Sequence, residues 1–221
     1  MGDLFQFDEA THSYLFGEMR ERVPSVTQIL NGVGIVDYSY IPPAVLKHAA
    51  DRGTAAHSCC EALLQGDLDW EAMKSHPLLV EAEPYVRGCE KFLKDTGFVA
   101  DAGMIEHQGI HTINGMRYGY RWDACGVLFK QNVLLDFKCT ASVQKHWGVQ
   151  TAAYELPARA VDGKVRARFV LHLNKRGGYQ LVETKSLDDY RVFQWALGVE
   201  SWKQTQKGKS YGNECPVDVA E

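Results

Sequence analysis

The stretch from Tyr118 to Tyr154, YGYRWDACGVLFKQNVLLDFKCTASVQKHWGVQTAAY, constrains the fold more than any other part of the chain. The apolar run Val133-Leu134-Leu135 has the character of a buried strand, and a charged triplet, Asp136-Phe137-Lys138, interrupts it. Side chains alternate across a strand. Asp136 and Lys138 therefore share one face, with Cα atoms roughly 6–7 Å apart, while Phe137 points into the core. A carboxylate and an ammonium are costly to bury unless they are paired or functional. Asp123 lies upstream, at the end of Gly119-Tyr120-Arg121-Trp122. Gln131 and Asn132 suggest a turn, so 118–128 and 133–139 read as a hairpin that brings Asp123 beside Asp136. Two carboxylates and a lysine at one point form a candidate site for a hard cation.

A D-x-K triplet alone is common on exposed strand faces as a solvated ion pair. The helix that follows narrows the reading. Within His146–Ala160, Gln150 and Tyr154 lie one turn apart on one face. The order Asp123, Asp136-x-Lys138, Gln150-x-x-x-Tyr154 resembles the PD-(D/E)XK nuclease superfamily, and within it the RecB-like and phage exonuclease branch. That branch carries a Gly-x-x-Asp strand, an Asp-x-Lys strand, a Gln-x-x-x-Tyr helix, and an upstream helix with a metal-binding histidine. Arg52-Gly53-Thr54-Ala55-Ala56-His57 is similar to the last of these. Phe7-Asp8, His12-Ser13-Tyr14 and Pro24-Ser25-Val26-Thr27 are similar to the leader of phage members, so the resemblance spans about residues 5 to 184. Two positions depart from the pattern. The family glycine sits three before the aspartate, where this chain has Tyr120, with the glycine at Gly119; and Cys139 stands between Lys138 and Thr140.

The resemblance implies an α/β (α+β) fold, with a restriction-endonuclease-like mixed β-sheet core flanked by helices. It implies metal-dependent hydrolysis of DNA phosphodiester bonds, foremost by an exonuclease of phage or bacterial recombination or repair. A structure-specific DNA endonuclease, or a catalytically silent nuclease-like subunit serving DNA binding or assembly, is the alternative. Asp123 and Asp136 are the implied ligands of Mg²⁺ or Mn²⁺, with His57 and the backbone carbonyl of Phe137 completing the protein's share. Lys138 stands beside the attacking water. Gln150 and Tyr154 hold the substrate or order the site, with Arg121 and Thr140 as further substrate contacts. Glu106, at the end of the strand before the Asp123 element, is an additional catalytic candidate. Glu61, one turn after His57, is a candidate to orient that ring. DNA is the implied partner, along with a recombination or replication protein, in the cytoplasm of a bacterial or phage-infected cell. Nothing in the residues identifies an oligomeric state.

Composition sets outer bounds. A chain of 221 residues suits a single domain, with an N-terminal hairpin and helices (1–97) packed on a core (98–205) and a mobile tail at 206–221. No apolar run reaches membrane-spanning length, and the N-terminus lacks the pattern of a secretory signal. Six scattered cysteines suit a reducing compartment better than a disulfide scaffold. Only Cys215 lies in the last seventy residues, so the late three-cysteine portion of an iron–sulfur site is missing and no such cluster is expected. Cys89, His107 and His111 fit no tight zinc spacing. The formal net charge of −4 does not by itself favour nucleic acid. Local basic groups at Lys164, Arg166 and Arg168, at Lys175 and Arg176, and at Lys203, Lys207 and Lys209 leave room for a localised groove.

Taken in order, residues 5–23 read as a hairpin about Gly17, and Ser25 as the N-cap of a short helix to Leu30. Pro42-Pro43 opens a helix to about Ala50, and a second runs from Arg52 to Leu64, ended by Gly66. A helix over 78–95 turns Val80, Val86 and Phe92 to the core and stops at Gly97. Strands are expected at 98–107, 117–128 and 133–139, a helix at 146–160, a hairpin at 166–184 turning at Gly177-Gly178, and a last helix at 187–204.

Overall fold

The computed structural model describes residues 5–9, 11 and 13–206. His12 and the tail beyond Gln206 therefore lie outside the described residues. The N-terminal segment forms a three-stranded antiparallel sheet, β1 (Phe5–Asp8), β2 (Ser13–Phe16) and β3 (Glu21–Val23), so the expected hairpin carries an additional strand. Gly17, at φ 72°, turns β2 into β3. Helix α1 (Val26–Gly32) begins at a capping box in which Ser25 accepts from the Gln28 amide and Gln28 reaches back to the Ser25 amide.

Helix α2 runs unbroken from Pro43 to Gln65, so the break expected near Ala50 does not occur. Gly53 is the weakest helix former there, a penalty of about 1 kcal/mol that the packing of α2 on its neighbour outweighs. That neighbour, α3 (Pro77–Thr96), is capped by Gly97 at φ 65°, just as α2 is capped by Gly66 at φ 81°. Val86 and Phe92 are buried on α3 as expected, but Val80 faces solvent.

The main sheet has five strands in the order β10-β9-β8-β7-β4. These are β4 (Val99–Ile105), β7 (Ala124–Leu128), β8 (Gln131–Lys138), β9 (Ala167–Leu173) and β10 (Tyr179–Glu183). Between β4 and β7 the chain makes a separate ribbon of β5 (Gln108–Ile113) and β6 (Met116–Arg121). The strand expected over 117–128 is therefore two strands in two sheets, divided at Trp122-Asp123. β5 was not anticipated at all. The β7–β8 turn is made by Phe129 and Lys130, both at positive φ, rather than by Gln131 and Asn132, which are already in β8.

β8 and β9 are parallel, and the right place for a crossover is taken by α4 (Trp147–Asp162). Helix α5 (Asp188–Gln206) closes the described chain. The sheet is covered on both faces. Val133, Leu135 and Phe137 alternate into a core shared with α2 and α3. Leu134 enters the opposite core, with Tyr118, Trp122, Val149, Tyr154 and Phe193 from β6, α4 and α5. Asp136 and Lys138 lie on this second face by the same two-residue period. A buried cluster ties the second layer together: Arg168 on β9 meets Glu155 on α4 at 3.0 Å and Asp189 on α5 at 2.8 Å. Among the described residues, no helix is long and apolar enough to cross a membrane.

Candidate metal centre and active site

The β7–β8 register pairs Ala124 with Leu135, which places the preceding Asp123 next to the following Asp136 at one end of the sheet. Asp123 is fixed from two sides. Its Oδ1 lies 2.8 Å from Nδ1 of His57 on α2, and its Oδ2 accepts a hydrogen bond from the amide of Phe137. His57 thus reaches across to the sheet and is oriented by Asp123. Glu61, the expected orienting partner, instead bonds Gln65.

Glu106 follows β4 in a left-handed conformation, φ 49°, and pairs with Arg121 of β6. This turn brings its carboxylate to the cluster. Ligand atoms of His57, Glu106 and Asp123 all lie within 4.8 Å of one another, a set that could hold a metal ion. The trio differs by one member from the expected His57, Asp123 and Asp136. The Asp136 carboxylate lies alongside, 2.6 Å from Nζ of Lys138. The ammonium compensates this buried carboxylate oxygen.

These charges strain one another. Burial opposes ionisation of Asp136, and although Lys138 pulls the other way, the nearby Asp123 charge helps keep its pKa above the ordinary carboxylate value. Burial and the Asp123 charge push Glu106 up to about 7 against the opposing pull of Arg121. Burial likewise works against charge on Asp123, but His57 and Lys138 together hold its pKa below normal. His57 and Lys138 resist burial in the same way and are raised by their carboxylate neighbours. A crowd of hard oxygen donors plus one imidazole fits a divalent cation.

A pocket of about 530 Å³ opens over this cluster. It is lined by His57, Glu106, Arg121, Asp123, Asp136, Lys138, Gln150 and Tyr154, together with Tyr14 and the Ser25–Gln28 start of α1. Gln150 donates to the Tyr154 hydroxyl at 2.9 Å, as their spacing on α4 requires. Burial first, and the Asp136 charge second, raise the Tyr154 phenol above its usual pKa. Gly119 explains the departure noted in the sequence. It pairs with Ser25 and takes the Pro24 carbonyl at 2.9 Å, and a Cβ there would lie 2.2 Å from the Tyr14 ring.

Thr140 is the expected site residue the structure does not bring in. Its hydroxyl bonds the Ser142 carbonyl, its own carbonyl meets His172 at 2.7 Å, and it lines a different cavity. The Phe137 ring is buried as expected. The sequence marks Ser25 as a cap and places Ser25 and Thr27 in the phage-like leader without a site role, yet both line the pocket. His107, set aside as a zinc ligand, stacks on Trp122 at 4.6 Å between ring centres.

No protein-family profile and no curated protein matches this sequence. Among solved structures, a crystal structure described as "Putative exonuclease" from Eubacterium rectale aligns with a TM-score of 0.50 and 12% identity. The alignment covers 70% of this chain and 66% of that one, so the chain spans just under two thirds of that protein's length. A second crystal structure, of SSO0001, aligns with a TM-score of 0.35 and 15% identity over 65% and 71% of the two chains. At these identities the first likeness concerns the fold. The chain has a mixed α/β, restriction-endonuclease-like fold.

Proposed function

We propose that this chain is a divalent-metal-dependent deoxyribonuclease of the PD-(D/E)XK superfamily, RecB-like and phage exonuclease branch, acting as an exonuclease in phage or bacterial recombination or repair. The observation that carries the reading is the convergence of His57, Glu106 and Asp123 beside the Asp136–Lys138 pair in one pocket. Relatedness in fold to a structure described as a "Putative exonuclease" is consistent with it.

Asp123, Glu106 and His57 would hold Mg²⁺ or Mn²⁺, with Asp136 adjoining them and the Phe137 carbonyl as a further oxygen. The imidazole donor favours manganese. A bound ion supplies charge neutralisation at the phosphate and a more acidic water. Lys138, kept protonated by Asp136 and Asp123, orients the attacking water and stabilises charge that builds on the phosphate oxygens. Asp136 fixes the position of that ammonium. Gln150 and Tyr154 offer hydrogen bonds to the substrate backbone, and Arg121, paired with Glu106, adds positive charge at the rim.

End-labelled linear DNA and circular DNA, single- and double-stranded, incubated with Mg²⁺ or Mn²⁺, test the proposal. Progressive shortening of linear substrates is expected, with circular ones resistant. Asp136→Ala and Lys138→Ala should each reduce cleavage by at least about 10²-fold with an unchanged circular-dichroism spectrum. Robust metal-dependent cleavage by both variants refutes the assignment, and cutting of circular DNA replaces the exonuclease with an endonuclease.

A further inference from the structure

A second cavity, of about 520 Å³, shares α2 with the first but draws on a different position of that helix. It is lined by Arg52, Lys175 and Arg176, with Tyr85, Thr140, Ala141 and Asn174, and contains no acidic residue. Among the described residues, none of these three cations has a carboxylate within 4.0 Å. Arg52 Nε is buried without a hydrogen-bond partner, while its guanidinium is held 5.4 Å from the centre of the Tyr85 ring. Three cations lining one hollow, one of them with an unused buried donor, make a favourable place for an anion.

The cavity is preorganised. Lys175 and Arg176 sit in the β9–β10 turn, where Asn174 Oδ1 accepts from the Arg176 amide at 2.9 Å and the Gly178 amide at 3.3 Å. Gly177, at φ 74°, completes the turn. Helix α3 presses against it at Gly88, where an added Cβ would lie 2.7 Å from the Gly178 carbonyl oxygen. The turn is thus locked while its two cationic side chains remain exposed.

The two cavities are neighbours along two elements. On α2, Arg52 lines one while Gly53 and Thr54 line the other. On leaving β8, Lys138 lines one and Thr140 the other. We infer that Arg52, Lys175 and Arg176 form a phosphate-binding subsite for the backbone of a DNA strand that continues past the metal cluster. This rests on the nuclease reading for the identity of the strand, and it gives Thr140 a place beside substrate outside the catalytic pocket. Phosphate contacts of this kind set position and register without reading bases. They also supply locally the positive charge that a net charge of −4 does not.

The test is binding of a labelled DNA oligonucleotide by fluorescence anisotropy in EDTA, so that no cleavage is involved, from about 50 to 200 mM salt. Arg52→Gln and the double variant Lys175→Gln/Arg176→Gln are compared with the natural chain and with Lys94→Gln, which removes a lysine already paired with Glu90. Weaker binding and a log–log salt slope lower by about one per phosphate contact are expected for the subsite variants, with Lys94→Gln unchanged. If Arg52→Gln fails to fold, the exposed double variant carries the test. Natural affinity and slope in the subsite variants overturn the inference. So does a loss confined to inorganic phosphate, measured by calorimetry, with DNA binding intact. Cleavage is scored separately. A chain that binds DNA through these cations but cuts none with Mg²⁺ or Mn²⁺ supports the subsite and removes the hydrolase; a chain that cuts while the variants keep the natural slope does the reverse.

Discussion

Replacing Gly119 by alanine tests how the pocket wall is built. A Cβ at this position would lie 2.2 Å from Cγ and 2.3 Å from Cδ2 of Tyr14. Carbon atoms prefer separations of about 3.5–4.0 Å, so the ring or the β6 backbone must shift by more than about 1 Å. The ring has little freedom: Tyr14 is 5% exposed, and Phe5 and Phe7 hold it at centroid distances of 6.0 and 5.0 Å. Overpacking of this kind costs about 1–3 kcal/mol. Without the ring, alanine in a strand is better than glycine by roughly 0.5–1 kcal/mol. Gly119→Ala should therefore destabilise the natural chain by about 1–3 kcal/mol and be neutral or favourable in a Tyr14→Ala background. The coupling between the two sites is then roughly 1–4 kcal/mol. Urea unfolding of the four chains in this cycle gives the number directly. An equal cost for Gly119→Ala in both backgrounds refutes the close approach. Because both residues line the pocket, Gly119→Ala should also lower DNA cleavage.

Three further outcomes are expected. Arg168→Met should destabilise by roughly 1–3 kcal/mol, because Glu155, buried at 3% exposure, keeps Arg159 and the Tyr190 hydroxyl but loses the buried guanidinium, and Asp189 loses the same partner; unchanged stability in urea melts refutes this. Mn²⁺ at about 100 times its Kd should raise the unfolding free energy by about 2.7 kcal/mol, reversed by EDTA, and an equal gain in Asp123→Asn would remove Asp123 as a ligand. Burial lowers the His111 pKa below 6.5, so the unfolded chain takes up more protons in acid, and the stability His111 contributes is present above about 6.5 and lost as pH falls. The stability of the natural chain relative to His111→Gln should shrink between about pH 8 and 5, and a constant difference refutes it.

The parts of this fold visible in the sequence are those set by local rules. Ser25 with Gln28, Gly66 and Gly97 mark helix ends through capping, and the alternation of Val133, Leu135 and Phe137 against Asp136 and Lys138 assigns both faces of β8. The Asp123–Asp136 juxtaposition followed from a hairpin, even though its turn falls at Phe129-Lys130. What stayed hidden depends on tertiary partners. Trp122 and Asp123 continue the strand pattern, and only the pairing of β6 with β5 and of β7 with β4 and β8 divides it. Glu106 was a candidate from its position, but its link to Arg121 needs the ribbon that Gln108–Ile113 makes. Thr140 follows Lys138 closely in sequence, yet the chain has left the strand there, so the two-residue period no longer decides its direction.

The pairing of His57 with Asp123 bridges 66 positions of the chain, from α2 to the start of β7. No short fragment contains both groups. An ion gripped by them is therefore a reporter of docking: it binds tightly only after the N-terminal helices have settled on the sheet, and its release on denaturation should coincide with loss of the whole fold. On the nuclease reading proposed above, a half-folded chain lacks the complete site and should not cut DNA.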